Sequence, residues 1–329
     1  MKQDNIAMLQ DTLKILEQGC YVKNGQKVDL KLTREQMEEA RVFLPKDVKK
    51  AGKYKDFQHV HVMGRCGYAC ENTDSFSLAR KRFSLLPEQD RKKSKPILVL
   101  NLANPVNPGG GVRKGAKAQE EDLCRKSSLL ISLESRNALP YYEYNRSLNT
   151  YLGSDAVMIQ PQVEIIKDEN GNLLEDSVIV AVMTCAAPML KYGMEGLSQK
   201  QYEDMMLGRI TGMLKVAAYM GYERLVLGAF GCGAFRNDAR MVSDLFYKAL
   251  KEYNLNITVY DPWANPAIVE HEYGIKVVNE LPTEKFDAAI AAVAHKMFDG
   301  LDVPALLKEK HVIFDVKCTL ERNLVDGRL

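Results

Sequence analysis

The sequence predicts an α/β protein built on a sheet buried on both faces and flanked by helices. Short, continuous apolar runs recur from residue 96 onward, and buried strands read as such runs where half-exposed strands alternate. Segments of helical period separate several of the runs, and two glycine clusters each stand between a run and a helix.

The elements follow in order. Ile6, Leu9, Leu13 and Leu16 fall on one helical face and Gly19 stands at the stop, which predicts an N-terminal amphipathic helix. Thr33 followed by Glu35, Met37 and Ala40 marks a second helix, and TDSFSLARKRF (73–83) a third, opened by a Thr or Asp cap. PILVLNLAN (96–104), bounded by charge before it and by Pro and Gly after it, is the first buried strand. DAVMIQP (155–161), VIVAVMTCA (178–186), RLVLGAF (224–230) and ITVYDP (257–262) are further strands. MLGRITGMLKVAAYMGY (206–222) is a helix between two of them.

A chain of 329 residues exceeds one typical domain, so one large domain with extensions or two domains are expected. Apolar content of 46%, charged content of 27% and a formal net charge of +2 suit a globular protein and offer no field that argues for nucleic acid or a membrane surface. The first residues carry Asp4 and Asp11 and no continuous apolar run, unlike a signal peptide or membrane anchor. Seven scattered cysteines, an odd number, fit reduced thiols better than a disulfide framework. The expectation is a cytoplasmic protein.

The first glycine cluster, Gly109 to Gly111, follows the strand ending near Ala103 and precedes a helix starting near Ala118. The second, GAFGCGAFRND (228–238), follows RLVL and precedes ARMVSDLFYKALKEY. Such junctions aim backbone N–H groups and the positive end of a helix dipole at one point, and glycine admits a phosphate close to the main chain; two of them at one sheet edge suit a diphosphate. The alternative is that these glycines only turn the chain. Gln119, Glu120 and Glu121 open the helix after the first cluster. Adjacent helical residues point about 100° apart, so the two carboxylates cannot meet one substrate atom and their roles must differ. Glycosidic cleavage needs a proton on the leaving oxygen and stabilisation of an oxocarbenium-like ribose, and a carboxyl group with a raised pKa can supply the first. On spacing alone, two anions favourably placed in the first turn of a helix are the preferred explanation of the pair.

PILVLNLANPVNPGGG, the QEE seven residues after the GGG, VIVAVMTCAAPM and LGAFGCGAFRND together resemble the bacterial-type poly(ADP-ribose) glycohydrolases, over about residues 5–255. The resemblance implies a macrodomain-like three-layer α/β/α fold with a mixed, mostly parallel sheet, an N-terminal helical extension and a C-terminal α/β segment. It implies hydrolysis of the ribose–ribose O-glycosidic bond of poly(ADP-ribose), with Glu121 as the catalytic acid and Glu120 holding ribose hydroxyls. Asn104 and Asn107 would bind the terminal ribose, Gly109, Gly110 and Gly111 would line the catalytic loop, and Gly231, Cys232 and Gly233 would meet the diphosphate. Phe235 would pack on the terminal ribose, and Gln119 and Ala234 belong to the same substrate-binding stretches. The implied partners are poly(ADP-ribose) or an ADP-ribosylated protein, with ADP-ribose as product, no cofactor, no membrane and no direct nucleic-acid contact.

From about residue 254, NLNITVYDPWANPAIVEHEYGIKVVNELP, KFDAAIAAVAHKMF and HVIFDVKCTLERNLVDGRL resemble the C-terminal domain of UDP-sugar dehydrogenases of the UDP-N-acetylhexosamine type. The nicotinamide domain and catalytic-cysteine segment of those enzymes have no counterpart, so the resemblance implies no oxidoreductase activity. The expected domains are 1–255 and 256–329, and ITVYDP is either the closing strand of the first sheet or the first strand of the appended unit. Two other readings compete. Macrodomains also occur as non-catalytic ADP-ribose readers, against which the QEE argues. Gly231-Cys232-Gly233 before a helix, with Asp261 ending the next strand, resembles the start of a dinucleotide-binding unit, but Arg236 occupies its third glycine position.

His59, His61, Cys66 and Cys70 are metal-ligand types, but HxH is also ordinary strand alternation and CxxxC is not the usual zinc spacing, so no metal site is assigned. Cys232 has no motif-placed His to activate it and reads as a small residue in a tight turn. Arg113, Lys114 and Lys117 beside the first loop either attract a polyanion or are simply solvated.

Overall fold

The computed structural model describes residues 2–51, 73–251, 259–260, 265–268, 277–283, 285–291, 298, 300–315, 320–325 and 327–328. They divide into two compact units, one holding residues 2–51 and 74–249 and the other Thr73 and the described residues from 250 onward. The segment with His59, His61, Cys66 and Cys70 lies outside the described residues.

The larger unit opens with α1 (Lys2–Gln18), which buries Leu9, Thr12, Ile15 and Leu16 and ends at Gly19, whose positive φ lets its N–H return to the Ile15 carbonyl. A hairpin follows, β1 (Cys20–Lys23) and β2 (Gln26–Asp29), around Asn24-Gly25, both at positive φ. That dipeptide is a strong hairpin signal, but its flanking strands are too short to show a period. α2 (Arg34–Met37) is a single turn closed by a Thr33–Gln36 capping box, with β3 (Arg41–Phe43) and α3 (Pro45–Ala51) after it. Asp74 is the cap of α4 (Ser75–Ser84), its carboxylate accepting the Phe76 and Ser77 N–H groups, and α5 (Glu88–Lys93) comes next. The site-bearing part comprises β4 (Leu98–Leu102), α6 (Gln119–Lys126), α7 (Leu129–Leu133), α8 (Leu139–Ser147), β5 (Val157–Lys167), β6 (Leu173–Cys185), α9 (Gln199–Tyr219), β7 (Leu225–Val226) and α10 (Ala239–Lys251).

These strands form one mixed five-stranded sheet in the order β3-β5-β6-β4-β7. β3, β5 and β6 pair antiparallel, whereas β6, β4 and β7 are parallel. One face packs Val99, Met158, Val163, Val180 and Val182 against side chains of α1, α4, α6, α7 and α8. The alternate residues Leu98, Leu100, Ala181 and Met183 are equally buried, and α9 packs on β5 and β6. The result is a macrodomain-like α/β/α layering. β5 and β6 outrun their apolar cores because a tight Asp168–Asn172 turn joins them as a hairpin, so polar residues at their outer ends are still paired.

In the smaller unit, β8 (Val259–Tyr260) pairs parallel with β9 (Val277–Val278). β10 (Phe286–Ala291), β11 (Leu307–Asp315) and β12 (Gly327–Arg328) form a parallel three-stranded sheet. Of the two roles open to ITVYDP, the pairing of Val259 and Tyr260 selects the appended unit; neither residue joins the five-stranded sheet. No helix among the described residues is long and apolar enough to cross a membrane.

If the five-stranded sheet is complete without ITVYDP, a chain ending at Tyr253 should melt within about 2 °C of one ending at Pro262, since deletion would remove no ladder bond of that sheet. A drop of ten degrees or more in the shorter chain, followed by circular dichroism, would place the strand back in the larger unit.

Candidate functional site

The parallel half of the sheet ends in three loops, after β4, β6 and β7, and the two glycine clusters are the first and last of these. α6 starts directly behind the first loop. Its first turn holds Glu120 and Glu121, which are 2% and 7% exposed. The two carboxylates are held differently. Glu120 accepts the Asn104 N–H at 2.8 Å on one oxygen and the Asn101 side-chain amide at 3.3 Å on the other. Glu121 accepts the Gly111 N–H at 2.8 Å through Oε1, while its Oε2 is buried with no hydrogen-bond partner.

Burial pushes the Glu120 carboxyl up to about 8, opposed by its hydrogen bonds from Asn104, Asn101 and Gly109 and reinforced by the neighbouring Glu121. Gly110 shows why the loop needs glycine. Its φ is +57°, and a Cβ there would lie 2.5 Å from Glu121 Oε1 and 3.1 Å from Glu120 Oε2. The backbone therefore lies directly against both carboxylates. Asn104 turns its Oδ1 inward to the N–H groups of Val106 and Asn107, shaping the loop and leaving its amide nitrogen for other contacts. Asn107 is exposed at the rim. Gln119 is engaged elsewhere: it accepts the Leu102 N–H and donates to the Leu100 carbonyl and the Ser75 hydroxyl. It fastens α6 to the end of β4, and both hydrogens of its side-chain amide are used there.

The second loop is clamped from below. Asn237 donates to the Pro188 and Gly231 carbonyls at 2.9 Å each and accepts from the Tyr202 hydroxyl on α9. Gly231, at φ +75°, is pressed against that amide and against Ala187, whose Cβ an added Cβ would meet at 2.5 Å. Gly233 has open space instead. Cys232, Arg236 and Asn237 use their N–H groups within the loop, whereas those of Gly233, Ala234 and Phe235 take no partner among the described residues. The exposed crest of the loop thus presents unpaired donors, as an anion cradle requires. The α10 terminus behind it is capped by Asp238, whose carboxylate accepts the Met241 N–H, so the cradle rests on loop amides rather than on the helix end. Burial, then Asp238, raises the Cys232 thiol, which suits an inert residue. Phe235 is half-buried, and its carbonyl accepts the Leu190 N–H, joining the loops after β6 and β7.

Sequence reasoning passed over the residues that support the site. Arg209 on α9 is 2% exposed and grips Asp155 and the carbonyls of Leu152 and Ala186. Asn101, Thr184 and Gln160 are fully buried side by side on β4, β6 and β5. Each is a polar residue inside an apolar run, and that anomaly is the signal that would have found them.

The fold is macrodomain-like, and comparison with known proteins shows a glycoside hydrolase. The family model of the microbial-type PARG catalytic domain matches residues 9–168, and that of the UDP-glucose/GDP-mannose dehydrogenase family UDP binding domain matches residues 243–322. The chain is similar to poly(ADP-ribose) glycohydrolase of Deinococcus radiodurans, solved in complex with ADP-ribose, at 33% identity and TM-score 0.57 over 68% of this chain and 86% of that one. It is similar also to the Thermomonospora curvata enzyme bound to the inhibitor ADP-HPD, at 29% identity and TM-score 0.64 over 74% and 85% of the two chains. The chain belongs to the bacterial poly(ADP-ribose) glycohydrolase family. Among curated proteins it is 36% identical over 127 residues to UDP-N-acetyl-D-glucosamine 6-dehydrogenase of Pseudomonas aeruginosa, and 36% identical over 85 residues to that of Salmonella typhi. These matches take in 36% and 25% of this chain, and the chain spans only 29% and 20% of the lengths of those two relatives.

The Glu120 carboxyl ionises near 4.5 when unfolded and near 8 when folded. Between those values the folded protein holds the extra proton, so this group's contribution is complete below the lower one and is lost as pH rises through the upper one. For Glu120→Gln, which cannot ionise, the unfolding free energy relative to the unsubstituted protein should therefore rise steadily from pH 5 to pH 9, by on the order of a few kcal/mol in all. A difference that stays flat across that range would contradict the raised value.

Proposed function

We propose that the larger unit hydrolyses the ribose–ribose O-glycosidic bond of poly(ADP-ribose) and releases ADP-ribose, with Glu121 as general acid and then general base. One observation carries the assignment within the pair. Both Glu120 oxygens are occupied by protein N–H groups, whereas Glu121 Oε2 is buried without a partner beside the glycine loop. That free oxygen gives the proton to the departing ribose oxygen as the anomeric C–O bond breaks. It then takes a proton from the water that adds to the anomeric carbon, which returns the carboxyl to its starting state. Glu120, Asn104 and Asn107 hold ribose hydroxyls, and Gly109, Gly110 and Gly111 form the wall against which the sugar sits. Gly231, Cys232, Gly233 and Ala234 receive the diphosphate, and Phe235 packs on the terminal ribose. The crystal structures of relatives with ADP-ribose or the inhibitor ADP-HPD support this choice of ligand. We place the hydrolase in residues 1–255 and regard 256–329 as a separate dehydrogenase-like unit.

Incubation of the protein with labelled poly(ADP-ribose), without added metal or nicotinamide, should release free ADP-ribose. Binding with no release would instead identify a reader. Glu121→Gln should lower turnover by roughly two to four orders of magnitude while ADP-ribose binding survives; near-normal turnover would reject the acid assignment. At the second loop, Gly233→Val finds room for its side chain, so ADP-ribose affinity should fall about tenfold or more with little change in melting. An unchanged dissociation constant by calorimetry would put the diphosphate elsewhere.

A further inference from the structure

A line of buried polar side chains crosses the middle of the sheet and ends on Glu120. Gln160 on β5 accepts the Thr184 hydroxyl at 2.9 Å, and Thr184 on β6 accepts the Asn101 amide at 3.2 Å. Asn101 on β4, which pairs with Thr184 in register, donates from the same nitrogen to Glu120 Oε1 at 3.3 Å. Gln160, Thr184 and Asn101 are all 0% exposed. Their immediate neighbours along the strands are Leu100 and Leu102, Met183 and Cys185, and Ile159 and Pro161, so one buried polar residue stands among non-polar ones on each of three adjacent strands. Asn101 Oδ1 and Gln160 Nε2 are left without partners. A cluster serving packing alone would satisfy these atoms or be apolar; here donation diverges from the Asn101 amide nitrogen, one N–H going to the Glu120 carboxyl and the other to Thr184, which donates on to Gln160, so the second bond fixes the plane from which the first is aimed.

We propose that Asn101, held by Thr184 and Gln160, is a positioning residue that fixes the orientation of the Glu120 carboxyl for ribose binding. The inference rests on the ribose-holding role assigned to Glu120 above. The ionisable groups around that carboxyl are Glu121 and Cys124 on α6 and Tyr141 and Tyr142 on α8. None of them donates a hydrogen bond to either oxygen in the structure, which leaves Asn101 and the loop amides to orient it.

The test uses the full chain with Thr184→Val, which keeps the shape and removes the hydroxyl, Thr184→Ser, which keeps the hydroxyl, and Gln160→Met, which cuts the far link. ADP-ribose dissociation constants by calorimetry should rise roughly three- to tenfold for Thr184→Val, less for Gln160→Met, and stay within about twofold for Thr184→Ser. The Glu120 carboxyl, followed by carbon-13 NMR, should titrate at higher pH in Thr184→Val and not in Thr184→Ser, because Asn101's hydrogen bond favours the ionised form. A purely structural role would lower the melting temperature and leave both readouts unmoved. Wild-type dissociation constants and wild-type Glu120 titration in both Thr184→Val and Gln160→Met would overturn the proposal. Should the unsubstituted protein fail to bind ADP-ribose, the assigned function falls, and the Glu120 titration alone still decides whether the chain of amides acts on that carboxyl.

Discussion

Two adjacent carboxylates buried at the start of one helix, under a backbone that touches both, form the constraint on which the rest of the site depends. Removing a carboxylate from water is unfavourable by several kcal/mol unless donors replace the solvent. The first turn of α6 supplies a favourable dipole, and the loop after β4 supplies N–H groups from Asn104, Gly109 and Gly111. Because successive helical residues diverge by about 100°, those donors cannot serve both side chains equally. Glu120 accepts a protein N–H on each of its oxygens; Glu121 accepts one from the glycine loop and keeps one oxygen unpaired. The asymmetry that the chemistry needs is thus produced by helix geometry.

The surrounding structure holds this arrangement rigid. Thr12 on α1 donates to the Arg125 carbonyl at 2.5 Å and accepts from buried Lys167 on β5, tying the N-terminal helix and the sheet to the far end of α6. Gln119 ties its near end to β4. On the opposite face, α9 sends Tyr202 and Arg209 into the loops after β6 and β7. The two glycine loops are consequently mounted on different layers, one on α6 and the other on α9, and each follows a parallel strand of the sheet. A macrodomain-like sheet with helices on both faces allows this, since each loop needs a helix behind it on its own side.

Much of this was legible in the sequence. The strand cores, the glycine junctions and the helix that QEE opens are all local signals, with apolar runs, Gly and a helical period set by neighbouring residues. The ends of β5 and β6, the brief β7 and the single turn of α2 were less visible, because hairpin pairing and packing decide them rather than local pattern. The site followed the same division. Glycines and carboxylates announced themselves, but the bonds of Gln119 to the end of β4 are not visible in QEE. Asn101, Thr184, Gln160, Asn237 and Arg209 matter only through partners distant in the chain, which spacing cannot reveal.

The unequal roles of the two carboxylates are tested most directly by a crystal structure of the Glu121→Gln protein with a two-unit fragment of poly(ADP-ribose). The account predicts the residue 121 carboxamide within about 3 Å of the oxygen that bridges the two riboses, with Glu120 on the ribose hydroxyls and the diphosphate over Gly233. A bridging oxygen that instead faces Glu120, or a fragment seated away from the two glycine loops, would contradict it.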